Sequence, residues 1–226
     1  MTDRLTGAAG RQYVADAIRY ALRSGDLVPG QRLVENDLAE SYGATRGAVR
    51  EALQDLAAEE ILEIVPRRGA RVRTVSVEEA IQITECRSAL EQLCAQKAAA
   101  RANEEQRAEL RRIGADMRRA VADGAWDAYS ALNQRLHELV VEASGQEVAR
   151  RHLDRLNGPM VRFQFRLALR PGRPAQSLPQ HLAIIDAVAS GDAPAAARAV
   201  AAHLDDVIEQ LRSSAVPSPP QAPPRA

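Results

Sequence analysis

The chain has no net charge: its 30 basic and 30 acidic side chains cancel across 226 residues. That excludes a protein that coats a polyanion over its whole surface, while leaving room for a single basic patch with one defined partner. Lysine is nearly absent. Lys97 is the only one, and arginine supplies the other basic side chains, which we read as a habit of the source genome. No apolar run is long enough to span a bilayer, and no charged-then-apolar leader follows Met1, so the expected location is cytoplasmic, with no membrane partner. Cysteine is scarce too. Cys86 and Cys94 fall on one predicted helix, where a rise of ~1.5 Å per residue holds them roughly 12 Å apart. A disulfide needs Cα atoms within about 7 Å, so both are expected to be free core thiols and not a metal-binding pair. No repeat of fixed period is present, and the length allows one or two domains, each with its own core.

What is present centres on Glu35 to Leu62, ENDLAESYGATRGAVREALQDLAAEEIL. Two helices are predicted there, separated by a tight turn at Gly43-Ala44. The first carries Leu38 and Ala39 and ends near Tyr42, and Gly43 can take the positive φ that closes such a helix. Thr45 is the candidate N-cap of the second helix. Val49, Ala52, Leu53 and Leu56 recur at helical spacing and form its inward face. Arg46 and Arg50 share the opposite face with Gly47 and Gln54. Two arginines on the first turns of a capped helix suit a helix-turn-helix, whose second helix enters the major groove N-terminus first. Arginine's planar fork can chelate guanine O6/N7 or a phosphate. In isolation, such an i,i+4 pair more often marks an ordinary solvated face.

The following residues change that balance. Glu63 to Pro66 reads as extended, Pro66-Arg67-Arg68-Gly69 as a turn, and Arg71 to Val75 alternates like a strand. An arginine-tipped hairpin beside a helix-turn-helix is a winged helix, its wing lying on phosphates or in the minor groove. The runs SGDLVPGQRL, ENDLAESYG, TRGAVREAL and PRRGARV resemble the N-terminal domain of GntR-type bacterial transcription regulators, over about the first third of the chain. The resemblance implies that Thr45, Arg46, Gly47, Arg50, Arg67, Arg68 and Gly69 face double-stranded DNA. One departure is Gly47-Ala48, where members often place a hydroxyl residue between the two arginines.

Upstream, Met1 to Gly10 has no period and is expected to be a loose leader, followed by a helix over Arg11 to Ser24. Downstream, Ser76-Val77-Glu78-Glu79 is a capping box that opens a long helix to about Ala102, with Ile81, Leu90 and Leu93 on its apolar side. Further helices are predicted over Asn103 to Ala122, Ala125 to Ala143 and Gln146 to Asn157. Gly158-Pro159 is expected to interrupt the chain before another helix to about Leu169. Residues 170–174 read as a loop, and Ser177 with Gln180 as the cap of the next helix, with Pro179 in its first turn. A last helix runs from Ala193 to Ser213, and VPSPPQAPPRA reads as a disordered Pro-rich tail. The fold expected is mainly α: a winged helix-turn-helix with a small β-hairpin over residues 1–75, an all-α antiparallel bundle over 76–214, and a tail over 215–226.

Four histidines remain, His137, His152, His181 and His203. His137, His181 and His203 each lie on or beside the apolar stripe of a separate helix, and His152 is also near one. A single buried imidazole is usually a hydrogen-bonded core residue, but three facing one interior, with an oxygen donor, make a common first shell for a divalent metal. NQRLH, QHLAIIDAVASGD, the last-helix histidine and RSALEQLCAQKAA resemble the helical FCD effector domain of the FadR branch of the same family. That resemblance implies a metal held by Asn133, His137, His181 and His203, with zinc the first candidate and nickel or manganese the others. Asn133 stands where many members have aspartate. It also implies a small carboxylate effector on Arg87, although Arg87 is equally placed for an i,i+4 salt bridge to Glu91. Tyr129, Arg162, Gln164 and Arg166 are further lining candidates.

The expectation is a ligand-responsive transcription regulator, a repressor and homodimer on a two-fold symmetric operator. A metal-dependent enzyme using the three histidines is the main rival. It lacks a carboxylate general base in a recognisable motif beside them and leaves the N-terminal third unexplained. A nonspecific architectural DNA binder would leave the inward histidines unexplained.

Overall fold

The computed structural model describes residues 4–168 and 172–213; the side chains of residue 23 and residues 161–168 fall outside that description. Among the described residues there are nine helices and one three-stranded sheet. The N-terminal part comprises α1 (Gly7–Ser24), β1 (Arg32–Leu33), α2 (Glu35–Ser41), α3 (Arg46–Ala58), β2 (Leu62–Val65) and β3 (Gly69–Val72). The remainder is helical: α4 (Val77–Arg101), α5 (Glu104–Ala122), α6 (Trp126–Ser144), α7 (Glu147–Ala168), α8 (Arg173–Ser190) and α9 (Ala193–Ser213).

Helices α2 and α3 form as their local chemistry dictates. Gly43 has φ 60 between them, and the Thr45 hydroxyl accepts the amide proton of Ala48 at 3.4 Å. Val49, Ala52, Leu53 and Leu56 are buried on α3 against Val14, Ile18 and Leu22 of α1. Ion pairs from Arg11 to Asp55 and from Arg19 to Glu59 (2.6 Å) fasten the same two helices at the surface. The sheet has the order β1-β3-β2, antiparallel throughout. Its first strand, two residues long, was not foreseen; Arg32 and Leu33 pair with Arg71 and Ala70. Gly69 (φ 86) lies so close to this strand that a Cβ there would sit 2.3 Å from the Leu33 carbonyl oxygen. Residues 4–9 are not loose as expected; residues 1–3 lie outside the described residues. Leu5 bonds across to Gly43 and Thr45 at 2.9 Å each, and α1 already begins at Gly7.

In the bundle, α4 packs along α9 and also meets α6, α7 and α8. The core is built from Leu110, Met117, Leu136, Ile184, Ile185, Val188 and Leu204, all essentially inaccessible. Truncating one such leucine to alanine would cost about 2–5 kcal/mol. Short turns at Asp123–Ala125 and Gly191–Asp192 make successive helices antiparallel. The Ser76 hydroxyl caps α4 by accepting from the Glu79 amide at 3.1 Å, but the Glu79 carboxylate turns to Arg73 instead of closing the box.

Four expectations are corrected. The inner face of α4 carries Thr84, Arg87, Glu91 and Cys94, while Leu93 is exposed; Arg87 and Glu91 face a cavity, and Cys94 packs on Ala149 and Leu153. Cys86 is exposed and only Cys94 is a core thiol. Gly158-Pro159 does not interrupt: α7 is continuous, carried across by packing of Ala149, Leu153 and Met160. Gly158 serves a different need, since a Cβ there would lie 2.3 Å from the Glu59 carbonyl oxygen at the end of α3. Helix α8 starts at Arg173, with Pro174 in its first turn, so Ser177 is not a cap; its hydroxyl bonds back to the Arg173 carbonyl at 3.1 Å. Residues 215–226, expected as a tail, lie outside the described residues.

Candidate functional site

Two groups of side chains stand out, one on each half. On the first, α3 presents Arg46, Gly47, Arg50 and Gln54 to solvent while its other face is buried. Arg46 has no hydrogen-bond or ion-pair partner among the described residues. Arg50 is held by Glu35, with Nε to one carboxylate oxygen at 3.1 Å and Nη2 to the other at 2.9 Å. At the hairpin tip Arg67 takes a positive φ of 60, and Arg67 and Arg68 project into solvent. The other wing arginines turn back to carboxylates: Arg71 to Glu63 across the strands at 3.0 Å, and Arg73 to Glu79 and Glu60. The tip therefore keeps its charge for an external anion, whereas the strand positions do not.

The second group lies in the bundle. His137 on α6, His181 on α8 and His203 on α9 offer ligand atoms that all lie within 4.8 Å of one another. His152 is exposed on α7 and stands apart. Each clustered ring has its Nδ1 engaged by a different partner. That of His137 faces the Glu91 carboxylate at 3.4 Å, and that of His203 meets Gln180 Oε1 at 3.0 Å. For His181 the proton positions follow from a chain of single donors. The Ser177 hydroxyl donates to the Arg173 carbonyl, so it accepts from the Tyr129 hydroxyl at 2.8 Å. Tyr129 has then spent its only proton and accepts from His181 Nδ1–H at 2.8 Å. Oxygen atoms face Nδ1 on the other two rings as well, an environment that favours the Nδ1–H tautomer, and His181 Nε2 is left without a partner among the described residues.

Burial pushes both His181 and His203 well below the usual imidazole range, with the neighbouring imidazoles and Arg173 acting in the same direction. His181 and His203 are therefore neutral, as metal ligands must be. Two buried polar atoms here lack a partner among the described residues: His181 Nε2 and Asn133 Oδ1. An unpaired buried acceptor is costly, and a cation would satisfy both. The donor set, three imidazole nitrogens and a neutral oxygen, suits zinc, nickel or manganese. Tying the far nitrogen of each ligating ring is also how proteins orient such ligands.

The cluster lines one side of a cavity of about 850 Å³ that extends to Arg19, Glu59 and Ile61 of the N-terminal part. Arg87 lines it, buried, with Nε and Nη2 both on Glu91 Oε1 at 3.1 and 2.7 Å. The salt bridge and the cavity position thus occur together. Burial would raise the Glu91 carboxyl, but Arg87 and His137 outweigh it and hold its pKa at about 2. Glu91 stands beside His137 without sharing a recognisable motif with the histidines. It comes from a distant helix, so no local motif could place it there. A carboxylate with so low a pKa is a poor general base. Arg173, read as a loop residue, is a second buried arginine lining the cavity and is paired with Asp206. Tyr129 lines the cavity too, while the side chains of Arg162, Gln164 and Arg166 lie outside the described residues.

Residues 11–72 match the model for bacterial regulatory proteins of the gntR family, and residues 82–206 match the FCD domain. A relative in Escherichia coli (strain K12), the HTH-type transcriptional repressor RspR, is 27% identical over 186 residues, 82% of each chain. A putative L-lactate dehydrogenase operon regulatory protein from the same organism is 30% identical over 220 residues, covering 86% of this chain and 83% of its own. In structure, E. coli McbR/YncC superposes with a TM-score of 0.79 at 21% identity, over 93% of this chain and all of that one. The relatives are transcription regulators, not enzymes. Among the described residues, no helix is long and apolar enough to cross a membrane.

Proposed function

Since this chain belongs to the gntR family of bacterial regulatory proteins and carries an FCD effector domain, we propose that it is a homodimeric repressor whose helical cavity binds a divalent metal together with a small carboxylate. In this reading residues 1–75 read a two-fold symmetric operator, one α3 per half-site. Arg46 and Arg50 meet base edges, and Thr45, Gly47, Arg67, Arg68 and Gly69 meet the backbone. Residues 76–214 hold the effector and the dimer contacts.

The observation that carries the reading is the convergence of His137, His181 and His203, with ligand atoms within 4.8 Å of one another, in a cavity where His181 Nε2 and Asn133 Oδ1 are both buried without a partner among the described residues. His137, His181, His203 and Asn133 would hold the ion, which supplies a Lewis-acidic anchor for carboxylate oxygens when bound. Arg87 and Arg173 line the same cavity and are suited to the rest of an anion. Their charges are already matched by Glu91 and Asp206, so the set of neutral metal donors leaves the ion's charge for the effector to balance.

The test is a thermal-shift screen of small carboxylic acids with and without zinc, nickel or manganese, followed by operator release in gel-shift titrations. An acid that stabilises only in the presence of metal and lowers operator affinity supports the reading. If acids act equally well on chelated protein, the two ligands are independent and the cavity reading fails.

A further inference from the structure

Among the exposed arginines placed at the DNA in the reading above, Arg50 alone is clamped. Arg46, one turn earlier on the same face, and Arg67 and Arg68 at the wing tip have no acidic partner among the described residues. The partner of Arg50 is Glu35, the first residue of α2, and the grip is two-point, one guanidinium nitrogen to each carboxylate oxygen. The Glu35 side chain is 22% exposed against 57% for Arg50, so the clamp is anchored in the fold and the fork projects from it. Hydrogen bonding from Arg50 holds the Glu35 carboxyl below its usual range, with burial opposing and the Arg46 charge assisting. The acid is therefore ionised at neutral pH.

A guanidinium has two hydrogen-bonding edges. Its side edge offers Nε–H and one proton of Nη2; its end edge offers the second Nη2 proton and one from Nη1. Glu35 occupies the side edge only. The end edge stays open, with the two parallel N–H groups that match guanine N7 and O6. A phosphate contact needs no such aiming, because a point charge serves there. A carboxylate close to DNA, moreover, repels every duplex regardless of sequence. Its presence beside a DNA-reading arginine makes physical sense if it fixes direction at the expense of general affinity.

We propose that Glu35 is a specificity-determining positioning residue, aiming the open edge of Arg50 at a guanine in the major groove. The inference rests on the reading that α3 faces DNA with Arg50 at a base. The experiment uses the full chain: wild type, Glu35→Gln, Glu35→Asp and Arg50→Ala are each equilibrated with a randomised duplex pool, and bound sequences are counted position by position. Affinity for a random duplex and the melting temperature are measured alongside.

In Arg50→Ala, preference for one guanine per half-site should vanish. In Glu35→Gln, the same position should lose about tenfold of its preference, in the range of one two-point arginine–guanine contact, while random-duplex affinity rises because a negative charge is gone. Glu35→Asp keeps the charge but is one methylene short, so it should lose the preference without gaining general affinity. A purely structural role at the start of α2 would move the melting temperature and leave base counts alone. If Arg50→Ala erases the preference and both Glu35 variants retain it, the positioning role is overturned while Arg50 keeps its place at the DNA. If Glu35→Gln tightens operator binding with preference intact, the clamp is a brake and the proposal also fails. If Arg50→Ala changes no position, the underlying reading of Arg50 falls first.

Discussion

The two halves of this protein use arginine–carboxylate pairs in opposite settings. On the N-terminal face the pairs Arg50–Glu35 and Arg71–Glu63 are exposed to water, and Arg46, Arg67 and Arg68 stand without an acid partner among the described residues. In the helical cavity Arg87–Glu91 is enclosed on both sides, and Arg173 is likewise buried, although its partner Asp206 is partly exposed. In water a lone cation costs little and is screened by salt, so the exposed face can keep its charge for a polyanion. Inside, an uncompensated ion costs several kcal/mol, and each must be neutralised by the fold itself. The exposed face should therefore answer chiefly to salt, and the cavity chiefly to pH and to any ion it takes up.

The largest expected effect contrasts the two kinds of pair. Arg87→Ala strands the buried Glu91 carboxylate and should cost about 3–5 kcal/mol of unfolding free energy. Arg71→Ala removes an exposed pair and should cost under about 1 kcal/mol. Denaturant unfolding of both variants would break the comparison if the two losses were alike. Next come Arg46→Ala and Arg50→Ala, each expected to lose about 1–3 kcal/mol of operator binding with melting near wild type. Unchanged operator affinity in both would remove them from the DNA.

The pH dependence is smaller per unit and has a definite sign. His181 and His203 are depressed in the folded state, so their contribution to stability is fully present above the unfolded value of about 6.5. As pH falls below that value, the unfolded chain takes up protons that the folded one refuses. Stability should then fall by at most about 1.4 kcal/mol per pH unit for each histidine. Comparing chelated wild type with His203→Gln between pH 7.5 and 5.5 isolates one of them, and equal slopes would contradict the buried neutral assignment. Smallest is the wing: Arg68→Ala should reduce the salt slope of DNA binding by about 1 while leaving base preference unaltered.

Much of the first half was legible locally. Gly43, Thr45 and the Val49–Leu56 spacing specify the two helices and their turn within a dozen neighbours. What escaped was set by distant contacts. The two-residue strand β1 exists only because β3 runs beside it, and Leu5 is held by Gly43 and Thr45 far along the chain. In the bundle, the spacing of His137, His181 and His203 on three inward faces anticipated their convergence. Glu91 and Arg173 were not anticipated as their neighbours. Charged residues usually signal a solvated face, and only the packing of α4 against α9 and of α8 against α9 turns these two inward. The Pro159 reading failed for a related reason, since burial of Met160 and Leu153 outweighs the hydrogen bond that proline cannot donate.

The most direct test of the cavity is its metal. Protein purified without a His-tag should contain about one divalent ion per chain, or take one up after chelation. At a hundredfold excess of zinc, nickel or manganese over the dissociation constant, the ion should add ~2.7 kcal/mol of apparent stability. His203→Ala should abolish that gain and His152→Ala should leave it whole. A wild-type protein that is metal-free as isolated and shows no melting shift with any of the three ions would contradict the account.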